Sequence, residues 1–207
     1  EYLYTFGSTA KTLSMGGAAA GSSGDCSISY FNPASIADVV NKEVVVFYVP
    51  LYNGAAYSYI GVGYHLKEGS VISISRVGLD IWGIDKPDPG GLLSGTSSVS
   101  EASYILTYGY MLAPYLFIGG NIKIVNSIID VYSALGFGID VGAIYKPISM
   151  LKCGLSIQNF IPPVINLKNE SETFPTNVRV GAEAELMAGK LHIMSDLLFM
   201  NIFPKGS

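Results

Sequence analysis

The chain has 207 residues, of which 49% are hydrophobic and only 14% are charged, and its formal net charge at pH 7 is −4. A soluble domain usually carries about 25% charged residues, so this composition favours a deeply buried soluble β-protein or a membrane β-barrel. The acidic balance and the absence of a basic run argue against a nucleic-acid partner. No stretch of the sequence approaches the roughly 20 apolar residues of a membrane helix.

The chain begins with a segment, residues 1–41, that differs from the strand-forming remainder at 42–207. Residues 7–36 are mostly Gly, Ala and Ser, without the apolar periodicity of a core helix or the charge of a solvated tail. Gly and Ala allow close backbone packing, which predicts a plug enclosed by other structure. A short helix is predicted from Thr9 to Ala20, and Asn32-Pro33 is expected to end any helix.

After Asn41 the sequence alternates between apolar and polar residues with a period of two. In one example Tyr104 and Leu106 alternate with Ser103 and Thr107. Such alternation predicts strands with one apolar and one polar face. The predicted strands are longer than the about five or six residues usual in globular proteins. We predict nine of them, at 43–51, 55–66, 70–77, 101–112, 115–126, 132–146, 150–160, 175–187 and 190–201.

The predicted connections differ in length between the two ends of the strands. One end has only short connections, whereas the other includes long ones at 78–100 and 161–174. Outer-membrane barrels have short periplasmic turns and longer extracellular loops, so this asymmetry favours a transmembrane antiparallel up-and-down β-barrel. Ile81 and Trp82, in the first long loop, are candidates for contact with a ligand or a partner protein.

The polar face of the strands decides between this barrel and a soluble β-sandwich with an apolar core. That face is rich in Gly, Ser and Ala, and its few charges have both signs, as suits a crowded polar interior where charges must find partners. We therefore predict that the apolar face contacts outer-membrane lipid and that the charges line a lumen. The predicted lining charges are Arg76, Lys123, Asp140, Lys152, Arg179, Glu183, Glu185, Lys190, His192 and Asp196. Tyrosines near the predicted strand ends would form interfacial girdles; they are Tyr48, Tyr52, Tyr64, Tyr104, Tyr115, Tyr132 and Tyr145.

Nine strands do not match the even strand numbers of bacterial barrels, and an open edge in lipid leaves backbone groups unpaired. We therefore expect missing C-terminal strands, in preference to a barrel completed by another chain. No catalytic motif, metal site or cofactor site stands out, and we expect the protein not to be an enzyme. His192 and Asp196 share one face of the ninth predicted strand, which we interpret as hydrogen bonding within the lumen.

The N-terminal segment resembles the signature of a known family over residues 10–39. The matching residues are Leu13, Met15, Gly16, Gly17, Ala18, Asp25, Ser27, Asn32, Pro33 and Ala34. In this pattern the segment resembles the start of the PorV/PorQ family of outer-membrane barrels, which are related in architecture to the FadL long-chain fatty acid transporters. The sequence departs from the family pattern at Cys26 and at Ser35-Ile36.

The resemblance implies a barrel of about fourteen strands in a bacterial outer membrane, with the N-terminal segment inside it as a hatch. The implied function is passage of hydrophobic small molecules across that membrane. The alternative is a non-transport role in a secretion or surface-assembly system of the type IX kind, with secretion-system proteins bound by the extracellular loops. The expected gate residues are Met15, Gly16, Gly17, Asn32, Pro33 and Ala34.

Overall fold

The structure is a computed structural model that describes residues 8–87, 93–167 and 170–200. It is an all-β fold with few helices. A short α-helix, α1, spans Ala10–Ser14, and two 3-10 helices span Cys26–Tyr30 and Pro33–Asp38. The strands are β1 Glu43–Pro50, β2 Ala55–Lys67, β3 Ser70–Pro87, β4 Leu93–Ala113, β5 Leu116–Ile129, β6 Tyr132–Ile148, β7 Leu151–Ile161, β8 Val164–Leu167, β9 Glu170–Thr173, β10 Asn177–Leu186 and β11 Leu191–Phe199.

The helices of the N-terminal segment are shorter and more numerous than the sequence predicted. α1 ends at Ser14, well before Ala20, because the chain turns at Gly16 and Gly17, whose φ angles are +65° and +78°. The first 3-10 helix ends at Tyr30, just before Asn32-Pro33 as predicted, and Asn32-Pro33 also begins the second one. The Asn32 side chain accepts a hydrogen bond from the Ala34 N–H at 3.1 Å, and proline is favourable at the first helical position because its missing N–H has no partner there.

Nine strands form one antiparallel sheet in the order β1-β2-β3-β4-β5-β6-β7-β10-β11, and β8 pairs with β9 in a separate two-stranded sheet. The prediction of a large antiparallel meander is therefore confirmed. Among the described residues β1 pairs only with β2 and β11 only with β10, so these residues form an open sheet and not a closed barrel. No helix among these residues is long and apolar enough to cross a membrane.

The prediction of a long loop at 78–100 is wrong, because β3 and β4 continue through most of this range as a hairpin. Their pairing persists to Pro87 and Leu93, across a register shift between Ile81 and Ile84. Gly83 lies in this shift with a φ of +73°, which glycine tolerates without strain. Residues 88–92 lie outside the described part of the chain. We call the end of the sheet that carries this hairpin the hairpin end, and the opposite end the tight-turn end.

The second predicted loop, 161–174, contains the β8–β9 hairpin, and residues 168–169 lie outside the described range. This hairpin folds back onto β6, where Pro163 and Ile165 pack against Gly136. Ile165 and Phe174 are buried in an apolar cluster. The segment therefore covers the sheet at the hairpin end and is not a free loop.

The two faces of the large sheet differ in both polarity and exposure. The apolar stripe is exposed, with Ile74 at 67% and Phe137 at 52% of its surface accessible. The polar stripe is buried, and Lys123 and Asp140 are each only 2% exposed. We call the exposed apolar side the outer face and the buried polar side the inner face. The hydrophobic effect alone would place these stripes the other way round in water.

Candidate functional site

The candidate site is formed by the N-terminal segment, residues 8–39, and the inner face of the sheet against which it lies. The second 3-10 helix packs on β3, β4, β5 and β6. Several strand positions under the segment are glycines because a side chain there would collide with it. A Cβ at Gly109 would lie 2.6 Å from the Ile36 Cγ1 atom, and a Cβ at Gly154 would overlap the Ala20 carbonyl oxygen. The glycine-rich stripe thus makes a seat for the segment.

Asn32 joins two parts of the segment to the sheet. Its Nδ2 donates to the Ala20 carbonyl at 2.7 Å and to the Ala143 carbonyl of β6 at 3.2 Å, while its Oδ1 caps the second 3-10 helix. The side chain is fully buried. A buried amide whose donors and acceptor are all used fixes one geometry, because a misplaced partner leaves a buried polar group unsatisfied.

Asp196 of β11 binds the turn that follows α1. Its Oδ2 accepts hydrogen bonds from the Ala19 N–H at 2.9 Å and the Ala20 N–H at 3.0 Å. Arg179 of β10 donates to the Gly17 carbonyl at 3.0 Å, lies 3.4 Å from the same Asp196 oxygen and stacks 5.0 Å from the centre of the Phe31 ring. The Asp196 carboxylate and the Arg179 guanidinium thus bind backbone N–H and C=O groups of the segment that lie outside any helix or strand.

Three neutral side chains bind carbonyl groups around the first 3-10 helix. The donors are Asn121 to Ser29 at 2.9 Å, Gln158 to Tyr30 at 2.8 Å and Ser156 to Phe31 at 2.6 Å. They come from β5 and β7, strands far from the segment in sequence. Sequence analysis missed them because only their alternation on the polar stripe distinguishes them from other small polar residues.

Lys123 and Asp140 form a buried ion pair on neighbouring strands of the inner face. The Lys123 Nζ lies 2.6 Å from Asp140 Oδ1, and Asp140 also accepts from the Asn159 N–H at 2.7 Å and from Asn121 at 3.1 Å. The extra hydrogen bonds satisfy the remaining carboxylate positions, which a buried ion pair needs if it is not to be destabilising. The pair links β5, β6 and β7 beneath the segment.

A second charged group lies on the inner face at the tight-turn end. Lys152 Nζ contacts Glu183 at 3.3 Å and also Glu185, while His192 Nδ1 lies 3.0 Å from Glu183. Glu183, Glu185 and His192 hold their possible ligand atoms within 4.8 Å of one another, a spacing compatible with a metal ion. The Lys152 ammonium, however, already pairs with both carboxylates. His192 contacts Glu183, not Asp196.

The remaining predicted residues fall into four groups, and the first is Lys190, which lies in the exposed turn between β10 and β11 and not on the inner face. Pro33 and Ala34 are buried against β5, whereas Met15, Gly16 and Gly17 lie at a partly exposed turn. Ile81 and Trp82 belong to β3 and not to a loop, with Trp82 52% exposed.

Arg76 was wrongly assigned to the inner face. It alternates in step with the outward-facing Ile74, and its cross-strand neighbours Ile60 and Tyr104 are exposed. Its Nη1 donates to Ser58 at 2.8 Å, and its Nη2 lies 3.4 Å from Asp80. The polarity of the side chain suggested the inner face, but the position of Arg76 in the strand decides the side.

An apolar cluster fills the inner face between the N-terminal segment and the β8–β9 hairpin. The sheet contributes Tyr57, Tyr59, Val77, Ile105 and Val125 to it. Tyr30, Phe31 and Ile28 of the segment pack on one side, and Ile165 and Phe174 of the hairpin region on the other. The largest apolar cluster of the inner face therefore lies towards the hairpin end, whereas smaller clusters around Val71 and Phe117 lie near the tight-turn end beside the charged groups.

Comparison with known families and with curated proteins gives no match to this chain. The chemistry of the site is that of binding and packing. Its charges are paired with one another or with backbone, and its glycines and short polar side chains shape a seat for one segment.

Proposed function

We propose that this chain forms part of an outer-membrane β-barrel in which the N-terminal segment is a hatch and the inner face lines the lumen. The observation that carries the proposal is the inverted sheet, whose apolar stripe is exposed and whose charged stripe is buried. An exposed apolar face of this extent is unstable in water but suits hydrocarbon. Exposed tyrosines support the same orientation, since Tyr64 and Tyr145 lie near the tight-turn end and Tyr132 near the hairpin end. Tyr104, by contrast, lies in the middle of β4 and not at a strand end as predicted.

The open edges at β1 and β11 support a longer barrel. Unpaired backbone groups facing hydrocarbon cost several kcal/mol each, by rough estimate, so a spanning sheet must close. We propose that further strands close the sheet into a barrel. This agrees with the resemblance to PorV/PorQ and FadL-like barrels, which implies about fourteen strands. Migration on a gel tests the membrane proposal. Full-length protein extracted in detergent should migrate differently before and after boiling, and solubility in plain buffer with unchanged migration would contradict it.

Within that barrel, we propose passage of hydrophobic small molecules as the function. The N-terminal segment blocks the route towards the tight-turn end, and the sheet residues of the apolar cluster become an apolar lining when the segment, which packs against them, moves away. Passage requires the segment to rearrange, which means releasing the bonds made by Asn32, Arg179 and Asp196. The hatch should therefore move during transport.

A disulfide can test whether the hatch moves. A Cβ at Gly63 of β2 would lie 3.2 Å from the Cβ of the native Cys26, close to the separation of about 3.5–4.5 Å found in disulfides. Gly63→Cys should therefore lock the segment to the sheet on oxidation. Uptake of a fluorescent long-chain fatty acid into liposomes should fall on oxidation and recover on reduction. Gly63→Ser is the matched control, and unchanged uptake by the locked protein would exclude a moving hatch.

A surface-assembly role is the second candidate, and one observation favours it. β3 and β4 contain 18 and 21 residues, whereas β5 has 14, so their hairpin projects beyond its neighbours. Trp82 and Ile84 are exposed on it. If the hairpin docks a secreted protein, Trp82→Ala should weaken capture of that protein and leave fatty-acid uptake unchanged.

A further inference from the structure

A glutamate lies beside the largest apolar cluster of the inner face, towards the hairpin end. Glu101 of β4 faces inward in step with Ile105, and its cross-strand neighbours are Leu79 of β3 and Ser127 of β5. Val77, a member of the cluster, lies in the next inward row. A carboxylate is costly in such surroundings, because removal from water penalises its charge. Glu101 therefore needs a compensating partner.

The Glu101 carboxylate has one buried oxygen, Oε1, that accepts no hydrogen bond from the described residues. Three cations of the inner face are engaged elsewhere, since Lys123, Lys152 and Arg179 each pair with another carboxylate. Glu101 as a whole is partly exposed, so a molecule on the inner face can reach its carboxylate. A ligand that donates a hydrogen bond to Glu101 removes the free-energy cost of an unsatisfied buried acceptor.

Hydroxyl groups follow Glu101 along the inner stripe. Ser103 and Thr107 of β4 are 1% and 0% exposed, and Ser73 of β3 is the cross-strand neighbour of Thr107. The hydroxyl oxygens of these three residues have no hydrogen-bond partner in the described part of the chain. Successive inward positions on a strand are about 7 Å apart, so Ser103 is the next polar group after Glu101. β3 and β4 then pass beneath the second 3-10 helix.

We infer that Glu101, followed by the Ser103 hydroxyl, selects hydrophobic small molecules whose polar end is a hydrogen-bond donor, an amine or an alcohol, in preference to fatty acids. This inference rests on the proposed passage of hydrophobic molecules and names the class that passes best. An ammonium or hydroxyl group satisfies the Glu101 carboxylate, whereas the carboxylate of a fatty acid is repelled by it. The alkyl chain lies against Leu79 and, once the segment moves, against the sheet residues of the apolar cluster. Small-molecule sites commonly combine such an apolar lining with a few polar groups that fix the orientation of the ligand.

Photolabelling in liposomes tests this selectivity on the full-length protein. The probes are hexadecylamine, hexadecanol and palmitic acid, each with a diazirine at the same position of the alkyl chain. For each probe, labelling of Leu79 on the inner face is divided by labelling of Phe137, which is 52% exposed on the outer face. This division cancels differences in partitioning into lipid. The amine should give a ratio at least about tenfold that of palmitic acid, because a hydrogen bond to a charged group strengthens binding by at least that factor. An equal gain by the alcohol shows recognition of the donor, and a gain by the amine alone narrows the class to cations.

Two variants separate recognition by Glu101 from the effect of overall charge. Glu101→Gln keeps the size of the side chain but can donate to a carboxylate, so the three ratios should come within about threefold of one another. Asp85→Asn removes an exposed charge at the same end of the sheet and should leave the preference intact. Equal ratios in the unsubstituted protein, or an unchanged preference in Glu101→Gln, would overturn this inference alone. Labelling of Phe137 by all three probes without labelling of Leu79 by any would show that the proposed passage itself is wrong.

Discussion

Two ion pairs on opposite faces of the sheet differ in burial, in distance and in the number of their further partners. Lys123 and Asp140 on the inner face are each 2% exposed and lie 2.6 Å apart. Arg76 and Asp80 on the outer face are 28% and 19% exposed and lie 3.4 Å apart. The inner carboxylate also accepts bonds from Asn121 and Asn159.

The difference shows where this fold depends on its charges. The inner pair is part of a network that fixes three strands and the segment above them, so each charge needs the other. The outer pair makes its further hydrogen bonds with the hydroxyl groups of Ser58 and Ser100. Removing the pair should leave the backbone hydrogen bonds of the sheet in place. We expect the inner pair to contribute strongly to stability, and the outer pair to contribute little to it.

The largest effect should come from removing one member of the inner pair. Lys123→Met leaves the Asp140 carboxylate without its ammonium in a buried site, which should cost about 3–5 kcal/mol in the free energy of unfolding. Denaturant unfolding followed by circular dichroism measures this loss. Adding Asp140→Asn to Lys123→Met should restore at least half of it, because no buried charge then remains. A double variant as unstable as the single one would contradict the network.

A smaller effect should follow from loosening the N-terminal segment. Asp196→Ala removes the acceptor for the Ala19 and Ala20 N–H groups, and hydrogen bonds to charged groups contribute about 1.5–3 kcal/mol each. The segment should detach while the sheet stays intact, so trypsin should cleave faster after Lys11. Ser195→Ala is the matched control, since Ser195 is the exposed neighbour on β11. Equal cleavage of the two variants would show that Asp196 does not hold the segment.

The outer pair should contribute little to folding. Arg76→Leu combined with Asp80→Leu should change the free energy of unfolding by about 1 kcal/mol or less, as expected for partly exposed pairs. The measurement is the same denaturant titration, carried out in detergent. A loss as large as that of Lys123→Met would mean that the outer pair is structural and that the contrast between the two faces is wrong.

The alternation of residue types predicted nine strands and their order, because each pleated strand shows its two faces directly in the sequence. It failed between 78 and 100, where Gly and Ser replace the apolar stripe while backbone pairing continues. Arg76 was misplaced because its charge outweighed its position, although Ile74 and Ile72, two and four residues earlier, mark the outward stripe. Asn121 and Gln158 were missed because the backbone they bind is distant in sequence.

The smallest expected effect concerns the two free cysteines, of which Cys26 is buried in the N-terminal segment and Cys153 is exposed. Burial, assisted by the nearby Glu43 carboxylate, raises the pKa of the Cys26 thiol to about 12, whereas Cys153 is exposed on the outer face. Alkylation requires the thiolate, so Cys26 should not react with iodoacetamide at pH 8 while the segment is seated. Mass spectrometry of the alkylated protein measures this reaction site by site.

Because the pKa of Cys26 is higher in the folded state than in the unfolded state, its effect on stability has a defined sign. Stability is unaffected below about pH 8.5, the ordinary thiol pKa, and falls as pH rises from there towards the folded value of about 12. Cys26→Ala should remove that alkaline decline, and at pH 7 it should cost only about 1 kcal/mol for the lost packing of the buried sulfur atom. In Asp196→Ala, Cys26 should become reactive at pH 8 if the whole segment detaches. If it remains protected while Lys11 is cleaved, the segment releases only its first turn, and Asn32 holds the rest on the sheet.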